Sequence, residues 1–317
     1  MHGRAADKMV EGMSESLVYV VVLAWNHKQD TIECLESFRS TDYQNFHLIV
    51  VDNGSTDGTP ELIQRVFPDV EVLRSPTNLG IAGGYNLGLE KALERNAEYV
   101  LVTNNDISVD KSLIRNLATA LDNSRHAGMG MPKIFNYYGD QTRLWCTGAR
   151  WRRFPPGVKM MGVNARDSSR FASRMWLEYA PSCSLMIRCE VLQRIGLFDT
   201  GYYFYNDDWD FSARLRQAGY GILFVPEARL WHKVSVSTQR SDKPAKWWYA
   251  MGRSTVRFYL RHSSPLVLAQ YSVWFLIRET VKLRFARIIP FLRGIRHELR
   301  LYRSDPEAMK ARGLEPR

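Results

Sequence analysis

The chain predicts an α/β fold: an open, mostly parallel sheet flanked by helices, followed by a C-terminal basic amphipathic helical extension. Three observations carry this. Short apolar runs rich in β-branched residues, the first at 17–24, read as strands buried on both faces. They alternate with helical spacings at the intervals of βαβ units. Three polar clusters, Ala24-Trp25-Asn26, Asp52-Asn53 and Asn104-Asn105-Asp106, fall just past strand ends, where open α/β sheets bind ligands.

Taken in order, residues 31–40 carry helical spacing through Ile32, Leu35 and Phe38. A second strand, 46–51, runs into Asp52-Asn53-Gly54-Ser55-Thr56-Asp57-Gly58. Thr59 and Pro60 are the expected N-cap and first residue of a helix to Phe67. A third strand at 70–73, a helix at 83–94 and a fourth strand at 99–103 follow. Residues 132–176 lose the period and gather aromatics with arginines (Trp145, Trp151, Arg152, Arg153, Phe154), as a substrate-side insertion would. Strand pattern resumes at 183–188. An acidic turn, Asn206-Asp207-Asp208-Trp209-Asp210, leads into a helix at 211–218 with Gly219 at its C′ position. A last strand at 221–225 precedes Trp231-His232.

With 45% hydrophobic and 24% charged residues among 317, the composition excludes a disordered chain, a collagen-like repeat or a coiled-coil rod. The four cysteines form no CxxC pair, which argues against a zinc or disulfide scaffold and for a reducing compartment. Residues 1–16 are polar without an apolar core, so they read as a disordered tail and not a signal peptide.

Charge is strongly divided. Residues 240–317 hold 17 Lys and Arg against 6 Asp and Glu, whereas the preceding 239 residues are within one charge of neutrality. Such a segment seeks anionic lipid, nucleic acid or an acidic partner. Within it Phe285, Ile288, Leu292, Ile295, Leu299 and Tyr302 recur at helical spacing, with Arg293, Arg296, Arg300 and Arg303 one position further on. Pro290 is expected to break this stretch into two helices. The apolar run 266–277 is shorter than the ~20 residues needed to span a bilayer. The stripe either lies in a membrane interface or packs on the main domain or a second copy, as in a homo-oligomer. Trp247-Trp248-Tyr249 suits the headgroup level or an acceptor site. The aromatics follow the helical stripe and form no stacking platform, which argues against nucleic acid.

Several residues carry candidate chemistry. Asp52 could accept from a base N–H or a ribose hydroxyl, or could simply form a turn. Asp106 could hold a divalent cation beside a diphosphate, or cap the next helix. Crowding of Asp207 and Asp208 raises carboxyl pKa values, which suits a general base, while Asp210 is spaced for an i,i+4 pair with Arg214. His232 is either a metal ligand or a structural histidine.

As an ordered set, Ala24-Trp25-Asn26, 51–57, 78–88, Asn105-Asp106, Asp207-Asp208-Trp209-Asp210 with 214–219, and Trp231-His232-Lys233 resemble inverting family-two glycosyltransferases of the GT-A fold, in their rhamnosyltransferase-like branch. The resemblance covers about 18–237. It implies that Asp52 contacts the nucleotide base, with Ala24 and Asn26 lining the same pocket. Asn53, Asn78, Gly80, Asn104 and Asn105 would complete the donor site. Asp106 and His232 would hold Mg²⁺ or Mn²⁺, and Asp208, with Asp207 as the alternative, would be the catalytic base. The implied donor is a UDP- or dTDP-linked sugar and the implied acceptor a lipid-linked or surface glycan. The enzyme would sit in the cytoplasm, peripherally on the inner face of the cell membrane, against an anionic surface. Its parts would be a tail (1–16), a GT-A catalytic domain (17–239) and a basic membrane-associating extension (240–317).

This chain departs from the family at two places. Asn104-Asn105 are amides where some relatives carry acids, and Ser182-Cys183-Ser184 replaces a loop glycine common in others. A sugar nucleotidyltransferase is the alternative enzyme. It would need a Gly-rich, basic loop after the first strand, which Ala24-Trp25-Asn26-His27-Lys28 is not.

Overall fold

The computed structural model describes residues 15–234 and 243–304. The expected tail at 1–14 and the 239/240 boundary lie outside the described residues. Glu15 and Ser16, assigned to the tail, are fastened: the Glu15 carboxylate accepts from Gln44 N at 2.8 Å, and the Tyr43 hydroxyl donates to Ser16 O at 2.6 Å.

The first half alternates as predicted: β1 (Val18–Ala24), α1 (Lys28–Arg39), β2 (Phe46–Asp52), α2 (Thr59–Val66), β3 (Glu71–Arg74), α3 (Gly80–Glu94) and β4 (Tyr99–Asn104). Then come β5 (Ile107–Val109), α4 (Leu113–Asp122) and β6 (Ala127–Asn136). The aromatic-basic insertion supplies β7 (Leu144–Cys146), the hairpin β8 (Ala149–Arg152) with β9 (Gly157–Met160), and β10 (Met175–Leu177). β11 (Ser184–Arg188), α5 (Cys189–Ile195), α6 (Asp207–Gln217) and β12 (Gly221–His232) close the α/β body. Three helices follow: α7 (Ala245–His262), α8 (Pro265–Val281) and α9 (Ile288–Ser304).

Ten strands form one sheet along the path β10-β12-β6-β11-β4-β1-β2-β3, with β5 on β12 and β7 on β6. β3, β2, β1, β4, β6 and β12 all run one way, and β11 is reversed between β4 and β6. The mostly parallel sheet expected from the sequence is therefore present. Every residue of β1 is buried, as a run of Val and Leu without alternation requires. α3 lies close against it because Gly88 has no side chain: a Cβ there would sit 2.3 Å from Val21 Cγ1.

Four local expectations need correction. Gly58, not Thr59, is the N-cap of α2, and Pro60 falls one position later. The Asp57 carboxylate takes the capping role, accepting from Thr59 N at 3.1 Å. α6 begins at Asp207 and not at 211, since carboxylates in a first turn are favoured by the helix dipole. β12 continues past 225 to His232 through a register shift between Val225 and Arg229. Pro290 sits in the first turn of α9, where its missing N–H costs nothing; the chain breaks instead around Leu283, which adopts φ 54°.

The apolar stripe of the C-terminal segment is met in part: Ile295, Leu299 and Tyr302 pack against a second hydrophobic core. Phe291, Gly294 and Glu298 face inward on α9, while Phe285 and Leu292 are exposed. Gly294 and Gly252 make that crossing possible: a Cβ on Gly294 would lie 2.1 Å from Tyr249 O, and one on Gly252 2.2 Å from Phe291 O. Phe291 stacks on Phe275 with centroids 3.9 Å apart, inside a second core containing Tyr202, Trp248 and Phe258. So these helices pack on the α/β body, one of the two arrangements the sequence allowed.

Candidate active site

The carboxyl ends of β1, β2 and β4 lie side by side, because Ala24 pairs with Asp52 and Leu23 with Asn104. The β1–α1 and β2–α2 loops are cross-linked there. Asn26 and His27 adopt left-handed backbone (φ 58° and 60°), which turns Asn26 N onto Ser55 Oγ at 2.7 Å and its Oδ1 to Thr56 N at 2.9 Å. Asn105 Nδ2 donates to Asn26 O and to Thr31 Oγ1.

Asp52 is 1% exposed, with Oδ1 accepting from Ser55 N at 3.2 Å and Oδ2 3.9 Å from Arg74 Nε. The turn reading is thus realised through Oδ1, while Oδ2 is on the side of the Arg74 guanidinium. Asn53 uses both ends of its amide on the loop before α3. It donates to Gly80 O at 3.0 Å and accepts from Leu79 N at 2.8 Å.

A narrow cavity of about 130 Å³ opens beside these groups, lined by Asn53, Asn78, Gly80, Asn104, Asn105 and Asp106, with Phe204 across it. Ala24, Asn26 and Asp52 lie behind this wall, not in it. The 203–206 loop pinches the mouth: the Tyr203 hydroxyl donates to Asn78 O at 3.3 Å, and a Cβ on Gly80 would meet Tyr203 O at 2.6 Å.

At the next strand end, His232 Nε2 stands 3.1 Å from Asp106 Oδ1, both groups being buried. Asp106 does not cap α4: Ser112 is the N-cap, and it is Asp110 that forms the turn leading into it, accepting from Ser112 N at 3.0 Å. Donors so spaced suit adjacent corners of an octahedron with metal–ligand bonds of about 2.0–2.1 Å. His232 Nδ1 is buried without a partner and its ring is edge-on to Trp145. Among the described residues no three His, Cys, Asp or Glu side chains cluster as metal ligands. The pair therefore fits a hard divalent cation only if substrate oxygens or water complete the shell.

The acidic pair opens α6 across the cleft. Tyr205 and Asn206 are left-handed (φ 64° and 66°), a strained entry into the first turn. Asp207 is buried with Oδ2 unpartnered. Burial, then the charge of Asp208, drives its pKa well above the usual carboxylate range. Asp208 is only partly covered. Burial pushes its pKa up to about 6, against hydrogen bonds from the Tyr179 hydroxyl (2.5 Å) and Trp209 N (2.9 Å). Asp210, as its spacing required, pairs with Arg214 at 2.7 Å, and it also accepts from Arg261 and His262 of α7.

Two tyrosines were missed by the sequence reading. Tyr179 holds Asp208 across the insertion. The Tyr85 hydroxyl lies 2.9 Å from both Asn104 Oδ1 and Ser182 O, joining β4 to the loop that carries the Ser182-Cys183-Ser184 departure. Tyr85 stands within the 78–88 motif, so its position, though not its partners, was in view.

The profile of "Glycosyl transferase family 2" matches residues 19–194, ending before the acidic pair. The chain is 26% identical over 270 residues to the N-acetylglucosaminyl-diphospho-decaprenol L-rhamnosyltransferase of Mycobacterium tuberculosis, covering 70% of this chain and 83% of that protein. Among solved structures, GalNAc-T7 with UDP, GalNAc and Mn²⁺ superposes with a TM-score of 0.60 at 15% identity, over 79% of this chain and 51% of that one. The mannosyltransferase PcManGT of Pyrobaculum calidifontis, in complex with GDP-Man and Mn²⁺, gives 0.54 at 16% identity over 93% and 92%. These two likenesses show the GT-A-like fold.

Proposed function

The chain belongs to glycosyl transferase family 2, and from that premise we propose that it is an inverting, metal-assisted hexosyltransferase. It moves rhamnose or another hexose from a UDP- or dTDP-linked donor to a lipid-linked or surface-glycan acceptor. The observation that carries this reading is the buried Asp106–His232 pair at 3.1 Å beside the strand-end cleft, with Asp52 at the end of the neighbouring strand β2 and the Tyr85 hydroxyl joining Asn104 to the Ser182 loop.

Asp52 is suited to accept the imide N–H shared by uracil and thymine, with Asn26 and Ala24 shaping the backbone behind it. Asn53 positions the 78–80 loop, and Asn78, Gly80, Asn104 and Asn105 line the path to the diphosphate. A whole nucleotide sugar exceeds a cavity of about 130 Å³, so donor entry displaces Tyr203 and Phe204. Asp207 is fully buried, which raises its pKa well above the usual carboxylate range, whereas Asp208 is partly open and is the group placed to take the proton of the acceptor hydroxyl. The freed oxygen attacks the anomeric carbon from the face opposite the diphosphate, whose bond breaks as the new one forms, inverting the centre. Tyr179 keeps the Asp208 carboxylate oriented. Mg²⁺ or Mn²⁺, held by Asp106 and His232, would neutralise the departing diphosphate.

A lipid acceptor is supported by the relative from Mycobacterium tuberculosis, named for a diphospho-decaprenol substrate, and by the outer face of the C-terminal helices. Val281, Leu283, Phe285 and Ile289 are all more than half exposed around the α8–α9 turn, beside Lys282 and Arg284. Arg293, Arg296 and Arg300 line a groove of about 570 Å³ on the same helix. Among the described residues no helix is long and apolar enough to cross a membrane. The reading is therefore of peripheral attachment to the anionic inner face of the cell membrane.

Calorimetry with UDP and with dTDP, each with and without Mn²⁺, tests the donor reading. Metal-dependent binding of one nucleotide, weakened by Asp52→Ala and by Asp106→Ala, is expected. A folded protein that binds neither would overturn it.

A further inference from the structure

A second cavity, of about 650 Å³, opens between the β8–β9 hairpin, α6 and the ends of α7 and α8. It is five times the volume of the cleft at the strand ends and within the range of small-molecule sites. Three arginines line it, Arg152, Arg153 and Arg216, and no acidic residue does. None of the three forms an ion pair among the described residues. Arg152 donates Nε to Pro155 O at 2.8 Å, and its guanidinium stands 5.9 Å from the Trp274 ring. Guanidinium forks left without carboxylates are matched to phosphate oxygens, which they bind bidentately.

An independent observation points to a ligand. Tyr259, on the cavity wall, is 3% exposed, and its hydroxyl is buried with no hydrogen-bond partner. A buried hydroxyl without a partner is costly, and native proteins rarely leave one unless something else supplies the partner. Apolar side chains adjoin the basic ones: Val267 lines the cavity, and Phe154 and Leu266, next in the chain to Arg153 and Val267, are 75% and 67% exposed.

The cavity also leads to the acidic pair. Ala213, Arg216 and Gln217 lie on the face of α6 that begins with Trp209, next to Asp208. Arg216 is eight residues beyond Asp208, roughly 12 Å along the helix axis. Trp151, in the cavity wall, has its ring 5.5 Å from that of Trp209 and 6.2 Å from that of Tyr179, whose hydroxyl bonds Asp208. One sugar ring joined to a diphosphate covers such a span.

We infer that this cavity holds the diphosphate of an acceptor carried on a prenyl chain. Arg152, Arg153 and Arg216 bind the phosphate oxygens, the Tyr259 hydroxyl donates to one of them, and the first isoprene units rest on Val267, Leu266 and Phe154. The sugar to be extended then reaches back over Trp151 and Trp209 to Asp208. This rests on the transferase reading above and adds where its acceptor sits.

The test is direct binding of farnesyl diphosphate by the full chain, in EDTA and with UDP or dTDP present, so that the donor cleft does not contribute. Arg153→Ala/Arg216→Ala removes two exposed side chains and should fold. It is expected to weaken binding by about tenfold or more, and Tyr259→Phe by a few fold, with nucleotide binding in Mn²⁺ unchanged. Absence of farnesyl diphosphate binding, or binding indifferent to the arginines, overturns the inference. So does equal affinity for inorganic pyrophosphate, or displacement by phosphatidylglycerol vesicles, which would assign the pocket to a free anion or to membrane headgroups. Loss of nucleotide binding in the wild-type chain, with farnesyl diphosphate still bound, would sink the donor reading and leave this site standing.

Discussion

The half of the sheet around β1, β2 and β4 and the C-terminal helices both bury polar groups, but with different partners. Around β1, β2 and β4 the buried groups are mostly amides and hydroxyls satisfied by nearby backbone: Asn53 on Leu79 and Gly80, Asn26 on Thr56, Ser75 on Thr77. At α7 and α9 they are charges satisfied by other charges far along the chain. Glu298, 0% exposed, binds Arg253 and Arg257; Arg257 and Arg261 both reach Asp199; Arg261 and His262 end on Asp210. Burial would raise the Asp210 pKa, but the His262 hydrogen bond and the charges of Arg214 and Arg261 hold it down to about 2. The first arrangement fixes the loops that border the narrow cavity at the strand ends. The second is a continuous ionic ladder that ties the last helix to the helix carrying Asp208, and it makes the docked position of the C-terminal helices exacting.

The largest expected effect separates chemistry from both arrangements. Asp208→Asn keeps the shape of the side chain and removes its basicity. Transfer should fall by roughly 10³-fold while calorimetric affinity for the nucleotide stays within error. Near-normal turnover in that variant, with loss in Asp207→Asn, would reverse the assignment of the base.

Next comes the ladder itself. Glu298→Ala would leave Arg253 without its carboxylate and Arg257 with only the 3.4 Å contact to Asp199. Stranding a buried guanidinium costs about 3 kcal/mol or more, which a melting curve reads as a drop of many degrees. A shift of only a degree or two would mean that the ladder is ornamental and that Phe291–Phe275 packing alone docks α9.

A smaller effect probes the join between the insertion and the site. The Tyr179 hydroxyl donates to the Asp208 carboxylate and so favours its ionised form. A base must be deprotonated to act, so activity should rise with pH through about 6 in the wild type. Tyr179→Phe should move that acidic limb upward by up to about one pH unit, with a loss of up to about twofold at pH 7 and up to about tenfold well below pH 6. An unmoved limb would show that Tyr179 is only a packing residue.

These contrasts also explain what the sequence disclosed. β1, β2 and β4 and the polar clusters behind them were legible because a buried parallel strand and its terminal turn are local patterns. Asp52, Asp106, Asp208 and His232 were legible as an ordered set of motifs. Tyr179 was not, since its partner lies 29 residues away and nothing periodic surrounds it. The ladder was hidden for the same reason: Arg261 and Asp210 are 51 residues apart. The stripe on α9 was legible through Ile295, Leu299 and Tyr302, but not at two of its most buried positions, which use a glycine for close approach and a glutamate for pairing, residues that a hydropathy pattern reads as solvent-facing.

The smallest expected effect is the control on that reasoning. Arg95 and Glu71 join the end of α3 to β3 at 3.1 Å, with side chains 46% and 32% exposed. Here water already solvates both charges, ordering two long side chains offsets part of the attraction, and salt screens the rest. Glu71→Gln should therefore leave the melting temperature almost unchanged, and the small difference should vanish in high salt. If this variant melted as early as Glu298→Ala, burial would not be what gives the ladder its strength. The contrast would then reduce to the number of charges in each region, with no part played by where they are held.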